Sequence, residues 1–332
     1  MQVHHSLAIL AIVLIGAVSY SGQISPKISL AEIDGLKTDE QVQTFVKRYG
    51  NEYVRDMKLN ADLDFSSFAN KTENIECGNK FKAIGGKVWE RLDLDGNGKN
   101  DLLLYLKEDD PRIAVILDAG GGKYETVLVT TKPFQPCSVA KVESTNGAAV
   151  LRLFGSDYPR EGTQFIYRDR GLVELNTAPT KLAIESVELT THGCFGLCPI
   201  FSLRVNSNLK ASLVPTNFND ILGIEDDGKR YTSQITAERW AKLVELLNYI
   251  DFSHLKDRYE VPWTDDAGAT LKIKYGGGTI KEINDYGMRG TNGLSLFYGL
   301  LNSIRSESSW KLTLETQVVG KIDNDRIHSA RL

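Results

Sequence analysis

The segment RLDLDGNGKNDLLLYL, residues 91–106, carries oxygen donors at the spacing of a calcium-binding loop. With Asp93 at position one, Asp95 stands third, Asn97 fifth, Lys99 seventh through its carbonyl and Asp101 ninth. Gly98 occupies the sixth place, where such a loop turns sharply. Hard cations favour carboxylate and carbonyl oxygens, so this series predicts a calcium site. Leu104 stands where the bidentate glutamate of a helix-loop-helix hand would be, which excludes that hand and leaves at most five protein ligands. The expected affinity then falls in the weak extracellular range, roughly 0.1 to 1 mM, and such an ion serves folding rather than catalysis. Asp-Gly and Asn-Gly are also favoured hairpin dipeptides, so an empty polar turn accounts for the same residues.

The second chemically loaded stretch is THGCFGLCPIFSLRV, residues 191–205, with Cys194 and Cys198 four positions apart. These residues could form a redox centre, part of a zinc site, a stapled turn or two buried thiols. Thiol-disulfide enzymes use a two-residue spacing at a helix N-terminus, whereas Pro199 and β-prone residues follow here. Zinc takes four ligands, and His192 with both cysteines supplies three, leaving the fourth to His254 or a distant carboxylate. A disulfide needs the two Cα atoms within about 7 Å, so the segment must fold back, which Gly193 and Gly196 permit. The staple is the favoured reading, and Cys77 with Cys137 in the first half makes the simplest second pair. The chain-entropy model gives the longer loop about 4 kcal/mol and the shorter about 2 kcal/mol.

Cys194 to Phe201 resembles the CFGxCPxY-like signature of a domain of unknown function (DUF6438-like) found in exported bacterial proteins, with Phe201 in place of the usual tyrosine. The Asp265-Asp266 pair before ATLKIKY, the turn Asn284 to Gly287 and a closing helix ending near Trp310 extend the resemblance from Leu182 to Thr313. It departs at VNSNLKASLV, where the family shows a DGxVxYxG hairpin. The resemblance implies a fold and an envelope location but no reaction. The aspartate loop is similar to the DxDxNxxxD loops of FG-GAP repeats in exported β proteins, which implies a structural calcium ion.

A third grouping, SHLKDRYEVPWTDDAG, gathers His254, Asp257, Trp263, Asp265 and Asp266 on one loop. It could line the cleft of an envelope hydrolase, or be a solvated loop with an aromatic anchor. The sequence shows no nucleophile elbow, HExxH or phosphate loop.

These groups require elements to hold them. Residues 1–22 read as a signal peptide, with an apolar core from Leu7 to Val18 that is shorter than the roughly 20 residues of a membrane span. A secreted or periplasmic chain without stable membrane insertion is expected, and oxidation of the cysteines follows from that compartment. Residues 23–36 form a leader. TDEQVQTFVKRYG reads as a helix, Thr38 and Gln41 making a capping box. From Lys80 onward short β-rich runs alternate with turn residues, predicting a β meander with one helix over 37–178. The stretch 174–180 reads as a hinge. Residues 180–316 predict an antiparallel sheet with two helices on one face, and 317–332 a polar tail. The fold class is therefore α+β. The 332 residues carry 39 basic and 43 acidic side chains without a long run of either sign, so no nucleic-acid partner is expected. Three functions remain: a non-enzymatic binding or structural module, an envelope hydrolase, or a thiol redox protein.

Overall fold

A computed structural model of the chain describes residues 32–65, 73–107, 111–129, 138–155, 158–221 and 223–313. The segments read as a signal peptide, most of the leader and the polar tail, together with Cys137, lie outside the described residues. The described part is α+β, built of antiparallel sheets with helices laid on them.

The first layer is helical. α1 (Glu32–Gly35) precedes α2 (Asp39–Tyr49), where Thr38 Oγ1 accepts from the Gln41 amide and the Gln41 side chain accepts from the Thr38 amide, both at 3.3 Å. This is the capping box expected from the sequence. Val42, Phe45 and Val46 of α2 lie on a sheet of β1 (Lys58–Leu59), β2 (Trp89–Leu92), β3 (Asp101–Lys107), β4 (Pro111–Gly120) and β5 (Lys123–Leu128). Its spine runs β1-β3-β4-β5, with β2 also paired to β3. Residues 101–106 of β3 are all buried because the strand is covered on both faces. Leu102, Leu104 and Leu106 point to the helices, whereas Leu103 and Tyr105 point to the next layer.

That layer combines α3 (Glu73–Ala83) with a four-stranded meander of β6 (Ser138–Thr145), β7 (Ala148–Gly155), β8 (Thr163–Arg168) and β9 (Gly171–Glu174). Phe65 and Phe81 each meet Tyr105 edge-on between the sheets, and the Tyr105 hydroxyl donates to the Ala140 carbonyl at 2.9 Å. Among its described residues the N-terminal half thus holds three helices rather than the single one expected. α3 escapes a sequence reading because its buried apolar contacts are Cys77 and Phe81, while Ile75 is exposed and Gly78 interrupts it.

The C-terminal sheet contains β10 (Ile184–His192), β11 (Ile200–Asn206), β12 (Lys210–Asn217), β13 (Tyr231–Gln234), β14 (Arg258–Glu260), β15 (Gly268–Tyr275), β16 (Thr279–Tyr286) and β17 (Lys311–Leu312), in the order β14-β16-β15-β10-β11-β12-β13-β17. All neighbours are antiparallel except β14 and β16. α4 (Ala237–Tyr249) and α5 (Asn292–Glu307) cover one face, burying Leu189, Leu203, Leu213, Leu271 and Ile283 beneath Leu243, Phe297 and Leu301. The opposite face is polar, and Arg204, Glu188, Lys272 and Glu282 form a row of ion pairs across four strands.

The two halves are continuous through β9. Leu172 belongs to the core between the first two sheets, and its neighbour Val173 points the other way, into the C-terminal core. The Glu174 carboxylate accepts from the Asn292 and Gly293 amides at 2.7 and 3.0 Å, satisfying two of the free N–H groups at the start of α5. A Cβ on Gly293 would stand 2.8 Å from Val173, so glycine is what allows this approach. The stretch read as a hinge is fastened instead: Asn176 bonds to Tyr249, and Thr180 and Leu182 to Asn248. Helix pair, sheet, sheet, helix pair and sheet form one stack.

Candidate functional site

The aspartate loop links β2 to β3. Gly98 has φ +80, a conformation open to glycine, and its amide donates to Asp93 Oδ2 at 2.9 Å. The Asn97 amide donates to Asp95 Oδ1 at 3.1 Å and the Lys99 amide to Asn97 Oδ1 at 2.8 Å, so successive turns wind the backbone around its own side-chain oxygens. Asp101 opens β3 fully buried, with Oδ2 accepting from the Leu94 amide at 2.7 Å and Oδ1 from the Asp118 amide at 2.9 Å.

One ligand atom from each of Asp93, Asp95 and Asp101 lies within 4.8 Å of the others. Oxygens bound to one calcium ion at about 2.3 to 2.6 Å can be no more than about 5 Å apart, so the cluster has the dimensions of a coordination shell. Among the described residues it is the one grouping of three or more His, Cys, Asp or Glu side chains that does. Asp93 Oδ1 is buried without a hydrogen-bond partner. Burial pushes the Asp101 carboxyl up to about 6, with the Asp95 charge raising it further against the stabilising backbone donors. The side chains of the other two expected ligands, Asn97 and Lys99, the latter expected to contribute its carbonyl, are engaged close by. Asn97 donates from Nδ2 to Asp95 and to the Asp118 carbonyl, and the Lys99 ammonium reaches to 4.0 Å from Asp118. Asp118 is the participant that sequence spacing missed, since it arrives from β4.

The cysteine loop lies between β10 and β11. Cys194 and Cys198 are bonded to each other, with Cα atoms 5.7 Å apart. Gly196, at φ +153, and an amide donation from Phe195 to the Asp265 carbonyl at 3.2 Å shape the return. Thr191 Oγ1 pins its foot by donating to the Pro199 carbonyl at 2.8 Å. Residues 185–305 match the family model described as a domain of unknown function (DUF6438). The DUF6438 match runs from β10 to α5 and contains the cysteine loop, Asp265, Asp266 and the turn after β16. Neither a curated protein nor a solved structure matches the chain. Replacing Cys198 by serine is expected to lower the stability of the C-terminal half by about 2 kcal/mol, read as a lower urea midpoint at unchanged slope. Cys77 is fully buried and also bonded through its sulfur.

The third grouping does not converge. His254 Nδ1 lies 2.9 Å from Asp251, Asp257 pairs with Lys281 at 2.5 Å, and Trp263 donates to Asp266 at 3.0 Å. Asp265 contacts Thr264 on the exposed side of the loop. His192 is engaged by Thr270 at 3.0 Å, away from a zinc role with the bonded sulfurs. A cavity of about 740 Å³ opens instead between β13, β17 and the facing ends of α4 and α5, lined by Lys210, Gln234, Arg239, Glu307 and Lys311. None of the residues singled out from the sequence lines it. No helix among the described residues is long and apolar enough to cross a membrane.

Proposed function

We propose that this chain is an exported, non-catalytic binding or structural module whose N-terminal half is clipped by a calcium ion at Asp93, Asp95 and Asp101. The observation that carries the reading is the buried, unpartnered Asp93 Oδ1 inside a three-carboxylate cluster of coordination size. A buried carboxylate oxygen without a donor is costly, and a cation would satisfy it while lowering the repulsion around Asp101. The hydrolase alternative is disfavoured because His254, Asp257 and Asp266 each face a different partner. The redox alternative is disfavoured because the pair has a three-residue spacing between two strands, without the helix N-terminus that lowers the pKa of an attacking thiol.

The test is thermal melting across a calcium titration. At 10 mM calcium, a site of roughly 0.1 to 1 mM affinity stabilises the fold by about 1.4 to 2.7 kcal/mol, and Asp93→Ala with Asp95→Ala abolishes the gain. An unchanged midpoint at that concentration sinks the calcium reading. Export is tested by mass spectrometry of the chain from its native cells: a start shortly after Ser19 with the cysteines oxidised is expected. A chain intact from Met1 with four alkylatable thiols overturns it.

A further inference from the structure

The two most exposed large apolar side chains among the described residues stand on one covalently closed loop. Phe195 is 91% exposed and Leu197 79%, between the bonded Cys194 and Cys198. Most other large apolar residues of this half gather beneath α4 and α5, with Phe218, Ile280 and Leu312 exposed to a lesser degree. The loop cannot fold these two back onto the sheet, because the disulfide closes it and the Phe195 amide is held by the Asp265 carbonyl. Their conformational freedom is already reduced before any contact forms, the condition under which aromatic and aliphatic anchors contribute most to association.

The antiparallel topology brings the segments 217–230 and 261–267 to the same end of the sheet, flanking the loop from β12 and β15. Together they carry Asp220, Glu225, Asp226, Asp227, Asp265 and Asp266 against Lys229 and Arg230. Lys229 is taken up by Asp227 at 2.7 Å, and Arg305 lies buried behind Asn219. Phe218, 41% exposed, adds apolar surface within this acidic surround.

We propose that the loop 194–198 is a preformed apolar anchor that enters a pocket of a partner protein, and that this pocket is rimmed by basic side chains. The acidic surround opposes seating two such tips against each other and opposes an anionic lipid surface, which leaves a partner of complementary charge. The inference deepens the reading of the chain as a binding module and rests on it, but not on the calcium loop. Adduct formation by a chain indifferent to calcium would separate the two.

The test uses the full chain in its native cells, with the photo-reactive residue p-benzoyl-phenylalanine in place of Phe195 or of Leu197, and of Ile75 or Ile280 as exposed controls. One discrete protein adduct is expected from both loop positions and from neither control. The adduct partner, identified by mass spectrometry and purified, is then titrated with wild type and with the double variant F195S/L197S, whose retained disulfide is checked by mass. Affinity should fall at least about tenfold in the variant. Binding of the wild type should weaken between about 50 and 300 mM salt. Four results would overturn the proposal: no adduct from the loop, equal affinity of the variant, flotation with phosphatidylglycerol vesicles that the variant loses, or a Phe195-dependent dimer in sedimentation velocity.

Discussion

Asp101→Ala is expected to destabilise the N-terminal half by about 2 to 6 kcal/mol, because it strands two buried amide donors at about 1 to 3 kcal/mol each. Those donors are the amides of Leu94 and Asp118, which both end on the fully buried Asp101 carboxylate. Asp101→Asn keeps one acceptor oxygen and turns an NH2 group toward the other amide, so roughly half the loss should remain. Urea denaturation of both variants with and without calcium separates two contributions. The structural loss appears in either buffer, whereas the calcium-dependent gain should vanish in both variants. A change in Asp101→Ala below about 0.5 kcal/mol, the scale of an ordinary surface substitution, would mean that this carboxylate does not organise the loop.

Phe297→Ala is the second large effect, about 3 to 5 kcal/mol for removing a fully buried ring from a packed core. Phe297 is 0% exposed, in the middle of α5. Its helix also carries the amides that receive Glu174 and the glycine against which Val173 rests. The damage should therefore spread to the meander, giving one calorimetric transition that moves down as a unit. Two transitions, with the upper one unmoved from wild type, would show instead that the halves melt independently and that the β9 contacts transmit nothing.

Legibility from sequence followed the range of the interactions involved. α2 could be read directly because Thr38, Gln41 and the stripe Val42, Phe45, Val46 are all local signals. The aspartate loop and the Cys194–Cys198 pair were legible for the same reason, each being a spacing within a dozen residues. α3 was hidden because tertiary burial of Cys77 and Phe81, rather than periodicity, holds it. The docking of Glu174 on α5 joins residues 118 and 119 positions apart, and a strand ending in a carboxylate carries no mark of that destination. Asp118 was missed as a member of the loop site because a neighbouring strand brings it there, through pairing that no linear spacing encodes. The grouping around His254 disperses for a related reason: His254 turns to Asp251 and Asp257 to Lys281, while Trp263 and Asp266 bond to each other.

The eight-stranded sheet ends on β14, three residues long, at one border and on β17, two residues long, at the other. Unpaired strand borders are templates on which other chains can add, and short ones offer little backbone to copy. Because β14 pairs with β16 only at Asn284 to Tyr286, residues 279–283 of that strand have no strand beside them on this border among the described residues, and the charges of Lys281 and Glu282 are what blunt it against an added strand.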